Sequence, residues 1–307
     1  MAFSFDLVCF SVSSVVFLLA LLKWFDAASK PQKRLPPSPP KLPIIGNIHQ
    51  LGLFPHRSLQ SLSRKYGPLM LLHFGSKPVL VASSADAASQ IMKTHDLVFS
   101  NRPKSSVKDR LFYGSKDVVF TPYGEYWRQA KSICVLHLLS NKRVQSYQHV
   151  REEETSLMIE KIGQMCSSSP VNLTEIFVTL TNDIICRVAL GRKYSEEEKG
   201  RKIMENLRVF VELMGVFDVG DYIPWLSWVN RFNGLDLKVE KFVKLIDEFL
   251  EGVIEEHINK RKGEAENDHS VEARCLDFVD ILIEVNKEST IGFALGPDDM
   301  KAIILVN

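Results

Sequence analysis

The chain has 307 residues, of which 45% are hydrophobic and 24% are charged, and its formal net charge is +1. This balance is typical of a protein that buries a hydrophobic core. The near-zero net charge gives no electrostatic reason to bind nucleic acid, and the sequence contains no zinc-finger, basic-region or RNA-recognition pattern. We therefore expect no nucleic-acid partner.

The cysteines are scattered, odd in number and never spaced as C-x-x-C. This pattern argues against a disulfide framework and against a zinc site. Reduced thiols in a cytosolic compartment are the simplest explanation. The five cysteines are Cys9, Cys134, Cys166, Cys186 and Cys275.

The first predicted element is a membrane anchor over residues 1–25. Leu7 to Leu22 carry no charge, and Trp24 and Phe25 extend this run toward the roughly 20 residues that a spanning helix needs. The alternative is a cleaved signal peptide, but the segment before the run has no Lys or Arg, and basic residues follow it instead. We expect a retained single-pass anchor with the remaining chain in the cytosol.

Residues 26–47 are basic and rich in proline. Prolines at this density fix φ and remove hydrogen-bond donors, which predicts a stiff polyproline II spacer. A generic linker or an SH3-type ligand has the same composition. Its position between anchor and domain favours a hinge that sets how the domain lies on the membrane surface.

Residues 48–307 are predicted to be mainly helical, with one strand pair at 69–74 and 78–82. Two long stretches, 103–122 and 216–234, are predicted to be irregular, and loops of this length in a compact domain are usually functional. No Gly-rich phosphate-binding loop is present. The predicted helices are near 57–66, 84–94, 123–137, 141–165, 173–190, 197–214, 235–262, 275–286 and from 297 onward.

The segment after Pro122 carries the most informative side chains. Pro122 can open a helix, on which Trp127 and Lys131 are separated by i, i+4 and share one face. An indole N–H beside a cation is a donor pair suited to a carboxylate. The alternative is an ordinary amphipathic helix, with Trp127 in the core and Lys131 in solvent.

Four sequence runs occur in fixed order behind the predicted anchor: Leu35–Gly52, His56–Gly75, Phe99–Pro103 and Asp117–Ser140. Together they closely resemble a plant A-type cytochrome P-450, the microsomal haem-thiolate monooxygenases. The resemblance implies a mainly α cytochrome P-450 fold with a small β-sheet behind a transmembrane helix. Residues 48–307 would then be an incomplete catalytic domain, from helix A to the start of helix I.

The resemblance also implies a cofactor, partners and a location. The cofactor would be haem b, with electrons from NADPH delivered by NADPH-cytochrome P-450 reductase. The substrate would be a small apolar metabolite, and the membrane lipid would be that of the endoplasmic reticulum, with the catalytic domain facing the cytosol.

By resemblance, Trp127 and Lys131 match the pattern whose side chains bind haem propionates. Lys in place of the more common Arg keeps the charge but loses the bidentate geometry. Arg102 matches a position that contacts the other propionate. Arg128 could face haem, belong to the reductase-docking surface or be a solvated helix charge, and these alternatives remain open.

The segment 105–121 resembles the first substrate-recognition loop of the family, in which Arg110 and Lys116 are expected to face water. A second stretch, 219–229, corresponds to the connection between helices F and G. Its aromatic residues could insert at the membrane interface or pack in the core. The candidate substrate-contacting residues are Val107, Leu111, Phe112, Val118, Val119 and Phe120.

The family's iron is held by a cysteine thiolate in an F-x-x-G-x-R-x-C-x-G context. None of the five cysteines has these neighbours, and the family's E-x-x-R pair is also absent. We therefore expect no catalytic residue, no metal ligand and an inactive, truncated chain, from a retained intron or a gene-model error. The alternatives are a non-catalytic membrane-tethered fragment and a small-molecule binding module.

Overall fold

The computed structural model describes residues 35–165, 170–195, 198–266, 276–287 and 295–306. The predicted anchor at 1–25 and the first part of the predicted spacer lie outside these residues. The chain divides into two compact units: residues 1–100 with 219–228, and residues 101–218 with 229–307. No helix of the described residues is both long enough and apolar enough to span a bilayer.

The elements follow in chain order as α1 Pro55–Tyr66, β1 Leu69–Phe74, β2 Lys77–Ala82, α2 Ala85–Ser89, α3 Asp96–Phe99, α4 Ser106–Leu111, α5 Glu125–Ser132, α6 Asn141–Ser146, α7 Gln148–Met165, α8 Leu173–Leu190, α9 Glu198–Met214, α10 Val219–Tyr222, α11 Val229–Phe232, α12 Leu235–Glu266, α13 Phe278–Lys287 and α14 Pro297–Val306. Single 3-10 turns lie at Ile48–Gln50 and Pro224–Leu226, and π-helical turns at Gln90–Thr94 and Ile133–Leu138.

The mainly helical prediction with one small sheet is confirmed. Strands β1 and β2 pair antiparallel, from Leu69 opposite Ala82 to Phe74 opposite Lys77. The helix predicted over 141–165 is interrupted at Tyr147, whose ψ of 14° lies outside the helical range. The Tyr147 hydroxyl donates to Leu276 O at 2.8 Å, so a long-range hydrogen bond accompanies the break.

In the first unit, one buried side chain fastens the proline-rich segment to β1. The Asn47 side-chain amide donates to Pro39 O at 3.3 Å and to Pro40 O at 3.1 Å, and its oxygen accepts from His73 N at 2.8 Å. The backbone N–H of Leu71 also donates to Pro37 O at 2.9 Å. Residues 37–47 are therefore held against the sheet of this unit.

The turn between β1 and β2 is fastened in the same unit to the segment 219–228. Gly75 has φ +57°, and a Cβ there would overlap Tyr222 O, so glycine permits the close approach. The Ser76 N–H and hydroxyl both donate to that carbonyl at 3.0 Å. The rings of Phe74 and Tyr222 pack edge to face at 5.9 Å.

In the second unit, α12 is central to the hydrophobic core. Val239, Phe242, Ile246, Leu250 and Val253 recur at helical spacing along α12, and each is at most 4% exposed. This stripe packs in one cluster with buried residues of α4, α8, α13 and α14. The burial of these apolar side chains stabilises the first two thirds of this 32-residue helix.

A buried pair, His257 with Asp277, joins α12 to the start of α13. His257 Nδ1 lies 2.7 Å from Val253 O, which can only accept, so this nitrogen carries a proton. His257 Nε2 lies 3.0 Å from Asp277 Oδ2, and Asp277 Oδ1 caps α13 by accepting from Asp280 N at 2.8 Å. Burial opposes protonation of His257, but the hydrogen bond and charge of Asp277 outweigh it and raise the His257 pKa.

Replacing Asn47 by Ala is expected to lower the free energy of unfolding by roughly 1–3 kcal/mol, because buried backbone groups lose their partner. Denaturant unfolding of both proteins measures the difference. Gln60→Ala, on the exposed face of α1, is the matched control. Equal stabilities for the two variants would contradict the role of Asn47.

The His257 pair predicts a specific pH dependence. Because the folded-state pKa is raised, its contribution to stability is complete below the unfolded pKa of about 6.5 and is lost as pH rises through the folded pKa. His257→Gln is expected to remove this loss, which amounts to at most about 1.4 kcal/mol per pH unit. Urea unfolding followed by circular dichroism from about pH 5.5 to about pH 8.5 compares the slopes, and identical slopes would refute the assignment.

Candidate functional site

Two cations lie against one indole ring at the start of the second unit. The Arg102 guanidinium carbon is 5.1 Å from the centroid of the Trp127 ring, and Lys131 Nζ is 4.6 Å from it. Trp127 and Lys131 share a face of α5, as the i, i+4 spacing predicted. The structure thus brings together Arg102, Trp127 and Lys131, which are three of the four residues predicted to contact haem propionates.

The donors of this cluster also hold the loop that precedes α5. Trp127 Nε1 donates to Val118 O at 2.9 Å, and Arg102 Nε donates to Val119 O at 3.0 Å. The indole N–H, which the sequence suggested for a carboxylate, is here bonded to a backbone carbonyl. The cationic groups of Arg102 and Lys131 are therefore the features of this cluster that suit an anion.

Asp117 organises the same loop and was missed by the sequence analysis. It is fully buried, and its Oδ1 accepts from Val119 N at 2.7 Å and Phe120 N at 2.8 Å. Burial raises its pKa, although these hydrogen bonds and the charge of Arg102 act in the opposite direction. An Asp that opens an irregular segment and accepts from the next backbone amides is a common turn signal, which could have identified it.

Arg128 lies on α5 as an exposed side chain. The three open alternatives for it therefore stay predictions. Arg110 and Lys116, expected to face water, are partly exposed but bound in ion pairs. Arg110 Nη1 lies 2.8 Å from Asp236 Oδ1, and Lys116 Nζ lies 3.2 Å from Asp298 Oδ2.

The candidate substrate-contacting residues occupy different environments. Val107, Leu111 and Phe112 are at most 4% exposed and belong to the hydrophobic core. Val118 and Phe120 are half-buried and pack against that core, whereas Val119 is 48% exposed. A substrate role for all six stays a prediction.

Phe112 packs in a cluster of aromatic rings. Its ring centroid lies 5.2 Å from that of Phe120 and 5.9 Å from that of Phe210. Phe210 in turn stacks on Phe242 of α12 at 5.5 Å. The Phe112 side chain is therefore enclosed by protein.

Arg102 and Lys131 suit a carboxylate by their charge, so these two described residues fit the propionate edge of a haem. The described cysteines do not supply an activated thiolate. Cys134 packs in the hydrophobic core, and burial with the nearby charge of Asp183 raises the pKa of the Cys186 thiol to about 11. Cys9, Cys166 and Cys275 lie outside the described residues.

Residues 219–229, predicted to lie either at the membrane interface or in a core, include both buried and exposed side chains. Ile223 is buried within the first unit, and Tyr222 packs on Phe74. Trp225 and Trp228 are 63% and 58% exposed. The two tryptophans are therefore the part of this stretch that suits an interfacial role.

Comparisons with known proteins agree with these features. The family profile described as cytochrome P450 matches residues 36–306. A norfluorocurarine oxidase from Strychnos sp is 58% identical over 294 residues, which are 95% of this chain and 57% of that protein. Cytochrome P450 71A2 from Solanum melongena is 60% identical over 290 residues, which are 94% of this chain and 56% of that protein.

A solved zebrafish cytochrome P450 structure, with abiraterone, aligns with a TM-score of 0.63 at 20% identity. The alignment covers 83% of this chain and 54% of the zebrafish chain, and at this identity it shows the fold alone. The chain spans little more than half the length of the Strychnos and Solanum melongena relatives named above. Because the family profile matches nearly the whole chain, the chain belongs to the cytochrome P450 family.

Proposed function

We propose that this chain is part of a haem-dependent monooxygenase that oxidises a small apolar compound. The observation that carries the proposal is the cluster of Arg102, Trp127 and Lys131, whose two cations are held beside an indole ring. Arg102 and Lys131 would neutralise haem propionates, and bound haem would supply the activation of O2. The name of the Strychnos relative, an oxidase, supports oxidation as the class of reaction.

The loop before α5 supports an apolar substrate. Val118, Val119 and Phe120 follow one another in it, and Val119 is exposed. Their backbone is fixed by Asp117, Arg102 and Trp127, so the cofactor cluster and the proposed substrate loop share their hydrogen bonds. A change in the loop is thereby coupled to the side chains proposed to hold the propionates.

We propose a location at the endoplasmic reticulum membrane, with NADPH-cytochrome P-450 reductase as the electron donor. The uncharged run from Leu7 to Leu22 supports a retained anchor with the catalytic part in the cytosol. The exposed side chains of Trp225 and Trp228 support a second, interfacial contact with lipid.

A second proposal concerns a polypeptide of only these 307 residues. None of its five cysteines lies in the family's haem-ligating context. The propionate contacts alone would contribute about 1.5–3 kcal/mol each at best. We propose that such a polypeptide is a non-catalytic, membrane-tethered species.

The second proposal is tested with the purified 307-residue protein, reconstituted with haem and reduced under carbon monoxide. The expected result is no thiolate-type carbonyl spectrum, because none of the five cysteines has the sequence context of the family's haem ligand. A clear thiolate-type spectrum would overturn the claim that this polypeptide is inactive.

The first proposal is tested with a chimera that joins residues 1–305 to the remaining C-terminal part of the Solanum melongena relative. We expect the chimera to bind haem and to give the thiolate-type spectrum. Lys131→Met should speed haem loss about tenfold or more, because a charge-assisted contact is removed. The haem-transfer rate to an excess of apomyoglobin measures this loss.

Two variants serve as controls for the chimera. Lys161→Met removes an exposed charge on α7, and it separates a local contact of Lys131 from a general charge effect. Lys131→Arg keeps the charge and should retain haem. Equal haem loss in the two methionine variants would contradict the role of Lys131, and a chimera without haem would contradict the first proposal.

A further inference from the structure

The loop between α4 and α5 begins with an unusual backbone conformation. Tyr113, Gly114 and Ser115 have φ values of 53°, 82° and 59°. Positive φ is uncommon for residues other than glycine and persists only where surrounding contacts determine it. The loop therefore needs side-chain contacts that hold Tyr113 and Ser115 in place.

The contacts of Tyr113 come from α12 and α14, whereas the Ser115 hydroxyl donates to Asp109 Oδ1 of α4. The Tyr113 hydroxyl donates to Asp247 Oδ1 at 3.0 Å, and Lys301 Nζ binds the same oxygen at 2.7 Å. Lys301 also pairs with Glu251, and its Nζ lies 5.8 Å from the centroid of the Tyr113 ring. We call Tyr113, Asp247, Glu251 and Lys301 the clasp.

The clasp is built around a buried charge. The Lys301 side chain is 6% exposed, and a buried ammonium is stable only when acceptors surround it. Burial lowers the pKa of Lys301, but the hydrogen bonds of Asp247 and Glu251 outweigh burial and raise it. The hydrogen bond from Lys301 in turn lowers the pKa of Asp247. The pair is therefore charged at neutral pH, and its geometry is restricted.

The start of α14 contacts the same loop at a second place. Lys116 Nζ lies 3.2 Å from Asp298 Oδ2, and Tyr126 Oη lies 3.0 Å from Asp299 Oδ1 and 2.8 Å from Lys116 O. The Thr121 hydroxyl donates to Ser115 O, so the strained turn is also bonded to the end of the loop. Ser115 and Thr121, on either side of residues 118–120, are thereby linked directly.

We propose that the clasp positions residues 112–121 and that Tyr113, Asp247 and Lys301 are specificity-determining residues acting through this loop. The effect on specificity rests on the proposed monooxygenase function, since it requires that Val118, Val119 and Phe120 face the substrate. The positioning of the loop does not rest on that function. Only the Lys301 ammonium is buried, whereas Asp247 and Glu251 are 43% and 50% exposed. A buried ammonium suits this task, because it must keep its acceptors and so favours one arrangement.

The positioning is tested by hydrogen exchange and mass spectrometry of the 307-residue chain. Lys301→Met and Tyr113→Phe are each expected to speed exchange of the 113–121 amides about tenfold, with α13 unchanged. Lys301→Arg should restore much of the protection. Lys244→Met, which removes a lysine 79% exposed on α12, is the matched control and should change nothing.

Tyr113→Phe removes only a hydroxyl, so it tests the clasp even where Lys301→Met does not fold. Unchanged exchange at 113–121 in Tyr113→Phe would overturn the proposal. An equal increase throughout the second unit would also overturn it, because the hydroxyl would then serve general stability alone.

The specificity is tested in the chimera with two probes of different size, 1-phenylimidazole and clotrimazole, whose Kd values are read from the haem spectrum. Tyr113→Phe is expected to change the ratio of the two Kd values at least about threefold, since a less restricted loop discriminates size differently. An unchanged ratio, with exchange increased, would overturn the specificity claim. A chimera without haem would refute the proposed function, while the exchange result would still decide whether the clasp positions the loop.

Discussion

Residues 112–121 can run through the second unit without regular structure because side chains satisfy their backbone polar groups. A buried backbone carbonyl or amide without a partner is costly, so an irregular segment must obtain hydrogen bonds from side chains, whether these lie outside the segment or within it. Trp127 and Arg102 donate to its carbonyls, and Asp117 accepts from its amides. The proposed cofactor cluster and substrate loop are consequences of this one requirement.

The need to pair backbone polar groups also explains how residues 37–47 are held in the first unit. Prolines supply backbone carbonyls but no N–H donors, and the Asn47 side-chain amide donates to two of those carbonyls at once. Its third contact, to His73 N, ties the proline-rich segment to β1. A stiff segment that is fastened at residues 37–47 gives the proposed anchor a defined point of attachment, which a Gly/Ser tether would not provide.

The sequence predicted the parts of this structure that depend on local pattern. The strand pair around Gly75 and the limits of α8 were recovered, as was the shared face of Trp127 and Lys131. The contacts of Asp247 were not predicted. Asp247 and Lys301 are 54 positions apart and Asp247 and Tyr113 are 134 positions apart, and no periodic pattern in the sequence connects them. The hydrogen bond from Trp127 Nε1 to Val118 O was also not predicted, because it depends on how the loop before α5 folds.

A high-resolution structure of the haem-loaded chimera would test the central claim, that these cations form a carboxylate site. The account predicts a propionate oxygen within about 3.2 Å of Lys131 Nζ, with the Arg102 guanidinium beside the second propionate. Propionates bound entirely by other residues, with Lys131 extended into solvent, would contradict it.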